Sequence, residues 1–427
     1  MRKLVSRILV VLMILTTGCS SKKPLDVENY LEKNNSVINL QDINNLEGLD
    51  LIKDNIKDKK VIFTGEYHAL QKDDLFRMKL IKYLQEEIGL NYYLAEMGYS
   101  SAYFFNKYLE SGDEEILKKV FLNLKGTQGF NKDDYNFFKD LYEFNKTLRE
   151  EDKIKIVGID IEHNMGSSYD YIKDTIKDET LKTEALEKTL ESLKNIQSYT
   201  KTSENKDENY KIELFNDLKP KIDALLEDIN NNKELYINLF KEDFFWFEIV
   251  VKNIKTKYLS EFTDDAEKSM SIREEQIYKN FITQDDTIDD AIYFGQFGAL
   301  HINKNPVKVA NVQSETKTTY VDFESIVYRI DNNSTYKGKV MSILYSYEDK
   351  YGNEGSSYIN REIFNDYLNS EDDCILFDLR NSNSPFKEEY ISPFSGETIY
   401  DNKKHITDYV DYMVILKGIS QSPNLYF

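Results

Sequence analysis

One short stretch decides the fold of this chain: Val61-Ile-Phe-Thr-Gly-Glu-Tyr-His68. Its first four residues are apolar or β-prone and stop at a glycine, which is the pattern of a short buried strand. Gly65 lets the backbone turn sharply at the end of that strand. Glu66 and His68 lie two residues apart, so their side chains project to the same side while the chain stays extended. A histidine beside a carboxylate can act as a general base or a metal ligand, so the end of this strand is a candidate site.

Further apolar segments of strand length follow along the chain, separated by stretches long enough for helices. They occupy residues 91–95, 154–158, 291–294, 340–345, 375–379 and 413–416. A first helix is predicted over residues 72–87, where apolar residues recur every three or four positions and Gly89 marks the stop. Apolar strands that alternate with helices indicate an α/β fold with a central, mostly parallel sheet flanked by helices on both faces.

The pattern changes between about residues 166 and 282, where long charged stretches have helical spacing. We interpret this region as a helical insertion on the α/β body. Because it falls between the third and fourth strands, its helices are expected to cover the C-terminal edge of the sheet and to control access to it. The many β-branched and aromatic residues between 306 and 400 also predict hairpins.

The N-terminus resembles a bacterial lipoprotein signal. A basic start and an apolar stretch too short to span a bilayer permanently precede the cleavage box Thr16-Thr-Gly-Cys19. The sequence therefore predicts a signal peptide over residues 1–18, lipidation of Cys19, a tether over residues 19–45 and one α/β domain over residues 46–427. Such a protein would be lipid-anchored at the extracytoplasmic face of the cell membrane.

The composition argues against one class of partner. The chain has 427 residues and a net charge of -20, and removal of Arg2, Lys3 and Arg7 with the signal peptide would make it more acidic. Such a surface repels nucleic acid, so no nucleic-acid partner is expected. Hydrophobic residues make up 41% of the chain, enough for a sizeable core, and 31 Tyr and 24 Phe predict that much of this core is aromatic.

Titratable residues follow other predicted strands as well. Glu96 ends the second strand, Asp160 ends the third, and His301 follows the fourth after two glycines. The C-terminal ends of parallel strands lie along one edge of a sheet. These three side chains are therefore expected to meet Glu66 and His68 in one cleft, although they are far apart in sequence.

These residues, in this order, resemble the erythromycin esterase family. The resemblance is carried by Gly65-Glu-Tyr-His68, Arg77, Leu94-Ala-Glu-Met-Gly98, Gly158-Ile-Asp160, Arg273 and Gly298-Ala-Leu-His301. It extends from about residue 55 to the C-terminus, and the family shares a superfamily with haem-binding bacterial lipoproteins and Tiki-type metalloproteases. One segment departs from the family pattern: Phe294-Gly-Gln-Phe-Gly298 replaces the usual Trp-Ala-His-Asn-like segment, which leaves one histidine where two are common. Substrate contacts are expected to differ there.

The resemblance implies an esterase-type hydrolase that acts on a small-molecule ester or lactone. His68 would deprotonate a water that attacks the carbonyl directly, without a covalent intermediate, since no nucleophilic serine motif is present. Glu66 would orient His68. Glu96 would position water or substrate, with Arg77 as its ion-pair partner. His301 would stabilise the oxyanion or protonate the leaving alcohol.

Asp160 and Arg273 complete the implied site as substrate-binding residues. No cofactor is expected. Hydrolysis without a tightly held metal is also expected, because only two histidines are credible ligands and an arginine near Glu96 would repel a cation. Activity would then rise as His68 loses its proton, around the reference pKa of about 6.5.

Two other functions stay open on the sequence alone. A metal-dependent hydrolase is one, because Glu66, His68, Glu96 and His301 include acceptable metal ligands. A non-catalytic lipoprotein that captures haem or another apolar ligand is the other, and it would use some of the many tyrosines. Metal analysis and a panel of ester substrates would separate these alternatives from the esterase.

Overall fold

The structure, a computed structural model, describes residues 26–202, 208–263, 265–314, 317–349, 360–387, 398–399 and 404–427. The expected signal peptide and the lipidation site Cys19 lie outside these ranges, so the lipid anchor stays a prediction. Within the described ranges, no helix is both long and apolar enough to cross a membrane.

A mostly parallel eight-stranded sheet lies at the centre of the protein. The strands along the chain are β1 (Asn35–Val37), β2 (Val61–Glu66), β3 (Tyr92–Gly98), β4 (Lys155–Asp160), β5 (Tyr293–Gly298), β6 (Val307–Ser314), β7 (Lys317–Phe323), β8 (Val340–Asp349), β9 (Cys374–Asp378), β10 (Thr398–Ile399) and β11 (Tyr412–Ile419). The sheet order is β1-β9-β11-β8-β2-β5-β3-β4. Neighbours from β11 to β4 are parallel, whereas β9 is antiparallel to both β11 and β1. The predicted fold class is confirmed.

The remaining strands form a small antiparallel sheet in the order β10-β6-β7. Strands β6 and β7 are consecutive and make a hairpin, as the sequence between 306 and 400 predicted. This sheet follows His301 directly in the chain, and Phe323 of β7 packs edge-on against the His301 ring, with ring centroids 5.7 Å apart.

Helices cover both faces of the central sheet. They are α1 (Val27–Lys33), α2 (Lys53–Ile56), α3 (Asp73–Ile88), α4 (Tyr99–Ser111), α5 (Glu114–Asn123), α6 (Lys132–Asn145), α7 (Met165–Thr175), α8 (Glu184–Thr202), α9 (Glu208–Asn231), α10 (Lys233–Phe240), α11 (Phe244–Glu261), α12 (Ala266–Asp285), α13 (Ile326–Asp331) and α14 (Arg361–Leu368). Ile62 of β2 packs with Phe76 of α3 in one core, while its neighbour Phe63 packs with Ile277 of α12 in the other. Because both faces are buried, the strand is a continuous apolar run.

The carboxyl ends of β2, β5, β3 and β4 lie side by side at one edge of the sheet. Strand β3 follows β2 in the chain, but β5, formed much later, is inserted between them. Parallel pairing sets Glu66 beside Gly298 and Gly98 beside Asp160. In open α/β sheets, ligands bind in the crevice outside the carboxyl ends, where the strand order changes in this way.

The predicted helical region is present as α7 to α12, between β4 and β5. Helices α11 and α12 pack against each other, and α12 also packs on β4. The region is therefore joined to the sheet through its last helix, which carries Arg273 and Glu274 to the carboxyl edge.

The tether predicted over residues 19–45 extends too far. From residue 27 onward the chain forms α1 and β1, and β1 pairs with β9 through Asn35 opposite Phe377. Leu31 of α1 is completely buried. The sequence gives no strand pattern here because β1 has three residues and lies at the edge of the sheet, where backbone hydrogen bonds rather than an apolar face hold it.

Candidate functional site

Glu66 and His68 form a hydrogen-bonded pair at the end of β2. His68 Nδ1 lies 2.9 Å from Glu66 Oε1, and Glu66 Oε2 accepts a hydrogen bond of 2.7 Å from Gln296 Nε2. The imidazole lies over Gly298, where an added Cβ atom would come within 3.1 Å of His68 Nε2. With Nδ1 held by Glu66, Nε2 is the ring nitrogen that can exchange a proton with a molecule in the crevice.

A chain of hydrogen bonds behind the Glu66–His68 pair determines which of its atoms carry protons. The hydroxyl groups of Tyr345 and Thr64 donate to Gln296 Oε1 at 3.1 Å and 3.4 Å. The amide nitrogen of Gln296 must therefore face Glu66 and donate to it. Glu66 accepts hydrogen bonds on both oxygens, as an ionised carboxylate does, and this fixes His68 Nδ1 as the protonated ring nitrogen.

Glu96 lies beside this pair and is held from two sides. Its Oε1 accepts a hydrogen bond of 2.7 Å from Arg273 Nη2, and its Oε2 accepts one of 2.7 Å from the backbone N–H of Gly298. The register between β3 and β4 shifts between Ala95 and Gly98. A bulge of this kind redirects a side chain, and here it brings Glu96 into the crevice.

Asp160 holds the Arg273 guanidinium by a two-point contact. Arg273 donates from Nε to Asp160 Oδ1 at 3.1 Å and from Nη2 to Asp160 Oδ2 at 2.6 Å. His163 Nε2 also lies 3.2 Å from Asp160 Oδ2. A bidentate pair fixes the plane of the guanidinium. Asp160 is fully buried and engages protein groups with both oxygens, so it positions Arg273 rather than meeting a substrate directly.

His301 lies between two carboxylates. Its Nδ1 is 2.6 Å from Glu274 Oε1, and its Nε2 is 3.4 Å from both Glu96 Oε1 and Arg273 Nη1. Glu274 is 1% exposed and also accepts a hydrogen bond of 2.6 Å from the backbone N–H of Ile326. Glu274 therefore orients the His301 ring so that Nε2 faces Glu96 and Arg273.

Arg77 does not pair with Glu96, and that prediction is wrong. Arg77 contacts Asp74 one turn earlier in α3, donates to Asp134 and to the Tyr93 hydroxyl at 3.0 Å each, and stacks over Phe137 with its guanidinium carbon 3.5 Å from the ring centroid. The spacing between Arg77 and Glu96 suggested proximity, but α3 projects Arg77 toward α6. The ion-pair partner of Glu96 is Arg273 from α12, far away in sequence.

The charges of the site change the protonation of its residues. The hydrogen bond that His68 makes to Glu66 raises the pKa of His68 to about 9, although burial by itself would lower that pKa. Burial alone would raise the pKa of Glu96, but the positive charges of His301, Arg273 and His68 outweigh it and lower that pKa. The carboxylates of Glu274 and Glu96 likewise outweigh burial and raise the pKa of His301. The expected titration of His68 near 6.5 is therefore corrected upward.

A cavity of about 800 Å³ extends from these residues to the helical region. Its floor contains Glu66, His68, Glu96, Asp160 and Arg273. Its walls are largely apolar and aromatic: Met97, Phe105, Phe121, Leu124, Phe138, Met165, Ile196, Tyr199, Ile212, Leu214, Phe215 and Phe262. Several of these belong to α8 and α9, and Phe262 directly follows α11, so the helical region does lie over the carboxyl edge, as expected.

The described residues contain no group of three or more His, Cys, Asp or Glu side chains arranged to hold a metal ion. The position among Glu96, Asp160 and His301 is instead taken by the Arg273 guanidinium. A cation placed there would meet a fixed positive charge at short range.

The structure brings together most of the residues that the sequence singled out. Glu66, His68, Glu96 and His301 share one site, where His68 and His301 both lie within 3.5 Å of the position that a Cβ atom on Gly298 would take. Their catalytic roles stay predictions. Sequence reasoning missed Gln296 and Glu274 as members of this site. Gln296 could have been found, since it stands in the one segment that departs from the family pattern, whereas Glu274 could be noticed only as the neighbour of Arg273.

Comparisons with known proteins show what this chain is similar to. The family model described as erythromycin esterase matches residues 86–284, a range that includes Glu96, Asp160 and Arg273. No curated protein sequence matches the chain significantly.

Three solved structures share the fold at low sequence identity. A Bacillus cereus protein is 17% identical with a TM-score of 0.62, over 94% of this chain and 98% of that chain. A succinoglycan biosynthesis protein is 13% identical with a TM-score of 0.63, over 93% and 98%. A mutant of the erythromycin esterase EreC in its open conformation is 12% identical with a TM-score of 0.61, over 92% and 99%. At these identities the likeness establishes the fold.

Proposed function

Because the erythromycin esterase family model matches residues 86–284, we propose that this chain is an esterase-type hydrolase acting on a small-molecule ester or lactone. The observation that carries the proposal is the arrangement of His68 on Glu66 near Arg273 at the floor of one cavity, with His301 Nε2 3.4 Å from Arg273 Nη1. This arrangement supplies a base and a set of hydrogen-bond donors at the two places where ester hydrolysis needs them.

His68 is the general base of the proposed reaction. In its neutral form, Nδ1–H is held by Glu66 and the lone pair on Nε2 accepts a proton from water. The resulting hydroxide attacks the ester carbonyl directly, and the imidazolium formed is stabilised by the Glu66 carboxylate. The carbonyl C–O bond to the leaving alcohol then breaks, and the alcohol takes up a proton.

Arg273 and His301 stabilise the negative charge that develops on the carbonyl oxygen. Arg273 is fixed by Asp160 and Glu96, so its donors are ordered before the substrate binds, and preorganised donors lower a barrier most effectively. The carboxylates of Glu274 and Glu96 raise the pKa of His301 and so favour its protonated form. A protonated Nε2 can then donate to the oxyanion or to the leaving alcohol.

Metal-independent chemistry fits this site better than the metal-dependent alternative. The Arg273 guanidinium occupies the space among the carboxylates where a cation would be held. It also supplies the electrophilic charge that a metal ion would otherwise provide.

A panel of aryl and alkyl esters and lactones, offered to purified enzyme before and after chelation, tests the proposal. We expect hydrolysis that resists chelation. Activity lost on chelation and restored by one divalent ion would support a metallohydrolase. An enzyme that hydrolyses no ester while binding apolar ligands tightly would support a non-catalytic binding protein.

The pH dependence of hydrolysis is expected to follow His68. Because the base must be deprotonated and its pKa is about 9, kcat/KM should rise roughly tenfold per pH unit from pH 6 and level off near pH 9. Glu66→Gln removes the main cause of the raised pKa of His68, so the rise of kcat/KM with pH should occur at lower pH. Initial rates for a neutral ester between pH 5 and 10 measure both curves, and a wild-type limb near pH 6.5 would contradict the assigned pairing.

We also propose that the protein is held at the extracytoplasmic face of the membrane by lipid on Cys19. The support is the cleavage box and the basic and apolar stretches before it. Cys19→Ser should abolish incorporation of labelled lipid and leave an unprocessed precursor on a gel. Unchanged labelling in that variant would refute the anchor.

A further inference from the structure

Lys257 is a charged residue on the buried side of α11. Its side chain is 6% exposed, and it belongs to the same helix face as the fully buried Val250, Val251 and Ile254. Removing an ammonium group from water is costly unless it is matched by an opposite charge. A lysine in such a position, lining a cavity, is therefore a candidate for ligand binding rather than for packing.

Lys257 lines the cavity and has two polar neighbours there. Its carboxylate partner is Glu261, one turn along the same helix, and the Glu261 side chain is 46% exposed. Its other neighbour is His163, whose Nδ1 lies 3.4 Å from Lys257 Nζ. Because His163 Nε2 faces Asp160 Oδ2 at 3.2 Å, a neutral His163 presents the lone pair of Nδ1 to the ammonium.

The acidic groups on the floor of the cavity are each matched by a protein partner. Arg273 lies against both Glu96 and Asp160, and His68 lies against Glu66. Lysines from outside the strands line the walls, and these are Lys125, Lys211 and Lys257. The wall also carries Asp134, which is held by Arg77, and Glu261, so Lys257 and Glu261 form an ion pair within an aromatic surface and its carboxylate half is 46% exposed.

We infer that the substrate is an apolar ester that also carries an anionic group, a carboxylate or a phosphate, and that Lys257 binds this group. The inference rests on the proposed esterase function and names the substrate class for the same cavity. The ester lies at the floor beside His68, the apolar body packs on the aromatic walls, and the anion replaces the half-exposed Glu261 as partner of Lys257. An ion pair with the 6%-exposed Lys257 side chain favours anionic substrates over neutral analogues.

The test compares matched esters that differ only in charge. 4-Nitrophenyl esters of straight-chain acids are paired with analogues that end in a carboxylate, and a second series ends in a phosphate monoester. Chain length is varied so that the anion can reach Lys257. For wild-type enzyme we expect kcat/KM of the best anionic ester to exceed that of its neutral match by about tenfold or more.

Lys257→Met should reduce this anionic-to-neutral ratio by about tenfold or more, mainly through KM, and Lys257→Arg should retain part of it. The matched control is Lys252→Met, because Lys252 makes the same kind of pair with Glu248 on this helix but is 56% exposed. That variant should keep the wild-type ratio. The carboxylate and phosphate series show which anion is preferred.

Hydrolysis of neutral esters without any anionic preference would overturn this inference and leave the proposed function intact. An equal loss of preference in the Lys252 and Lys257 variants would overturn it as well, since a general surface charge would then be responsible. Absence of all ester hydrolysis would instead contradict the proposed function. In that case, isothermal titration with decanoate and with neutral decanol still tests the anion site, because Lys257→Met should weaken only the binding of decanoate.

Discussion

Replacing His68 with alanine is expected to lower kcat/KM for ester hydrolysis by about 10²- to 10⁴-fold. The variant loses the imidazole whose Nδ1 is held by the Glu66 carboxylate and whose Nε2 is free to accept a proton from water. Because the His68 side chain is 43% exposed, its removal should change the free energy of unfolding little. Steady-state rates and thermal unfolding of the same preparation separate a lost base from a lost fold.

A double-mutant cycle with Glu66→Gln sharpens this test. If Glu66 acts by orienting and charging His68, the Glu66 substitution should cause little further loss once His68 is alanine. Added imidazole should restore part of the rate in the His68→Ala variant, because the open cavity can admit a free base. A folded His68→Ala enzyme with full activity would remove His68 from the mechanism.

The Asp160→Asn substitution is expected to be the most destabilising single change at the site. Asp160 is fully buried and forms a bidentate pair with Arg273. The neutral amide would therefore leave the largely buried guanidinium of Arg273 with only one of its two carboxylate partners. Breaking a buried ion pair from one side costs about 3–5 kcal/mol. Since Arg273 still pairs with Glu96 in this variant, we expect the free energy of unfolding, measured in urea, to fall by about 3 kcal/mol. Hydrolysis should fall as well, because Arg273 loses its fixed orientation.

Asp174→Asn is the control for this measurement. Asp174 also pairs with a cation, Lys107, but both side chains are about two-fifths exposed, and such pairs contribute about 0–1 kcal/mol. The pH dependence gives a second check. The pKa of Asp160 is lowered well below its usual value, although burial alone would raise it, because Arg273 and His163 favour the ionised form. Its stabilisation is therefore present above the ordinary pKa of about 3.9 and lost as the pH falls below it.

If Asp160→Asn and Asp174→Asn destabilise the protein equally, the buried pair with Arg273 is not the cause. The same conclusion follows if the difference between wild type and Asp160→Asn is unchanged at pH 3. Either result would also weaken the role of Arg273 as a preorganised donor, since that role depends on its attachment to Asp160.

The sequence by itself determined the fold class and the edge of the sheet at which the site lies. The stretch around Gly65 is apolar on both faces and ends in Glu66 and His68, and a strand buried on both faces must run in a covered, mostly parallel sheet. Parallel strands place their carboxyl ends together. The approach of Glu96 and His301 to this pair could therefore be predicted from the positions of strands and titratable residues along the sequence. The helical region was also visible, because a change from strand to helix periodicity is a local property.

Only the tertiary structure decided which charges pair with which. From the sequence alone, either Arg77 or Arg273 could have been the partner of the candidate acids. In the structure, α3 projects Arg77 toward Asp134. Helix α12 instead carries Arg273 to Glu96 and Asp160. The strand order also depends on contacts between segments far apart in sequence. It inserts β5 between β2 and β3 and so brings Gln296 against Glu66. Ion pairing and pKa depend on distances of a few ångströms and on burial, and both are set by packing between segments far apart in sequence. For this reason the position of His68, the proposed base, could be predicted from the sequence, whereas its pKa of about 9 could not.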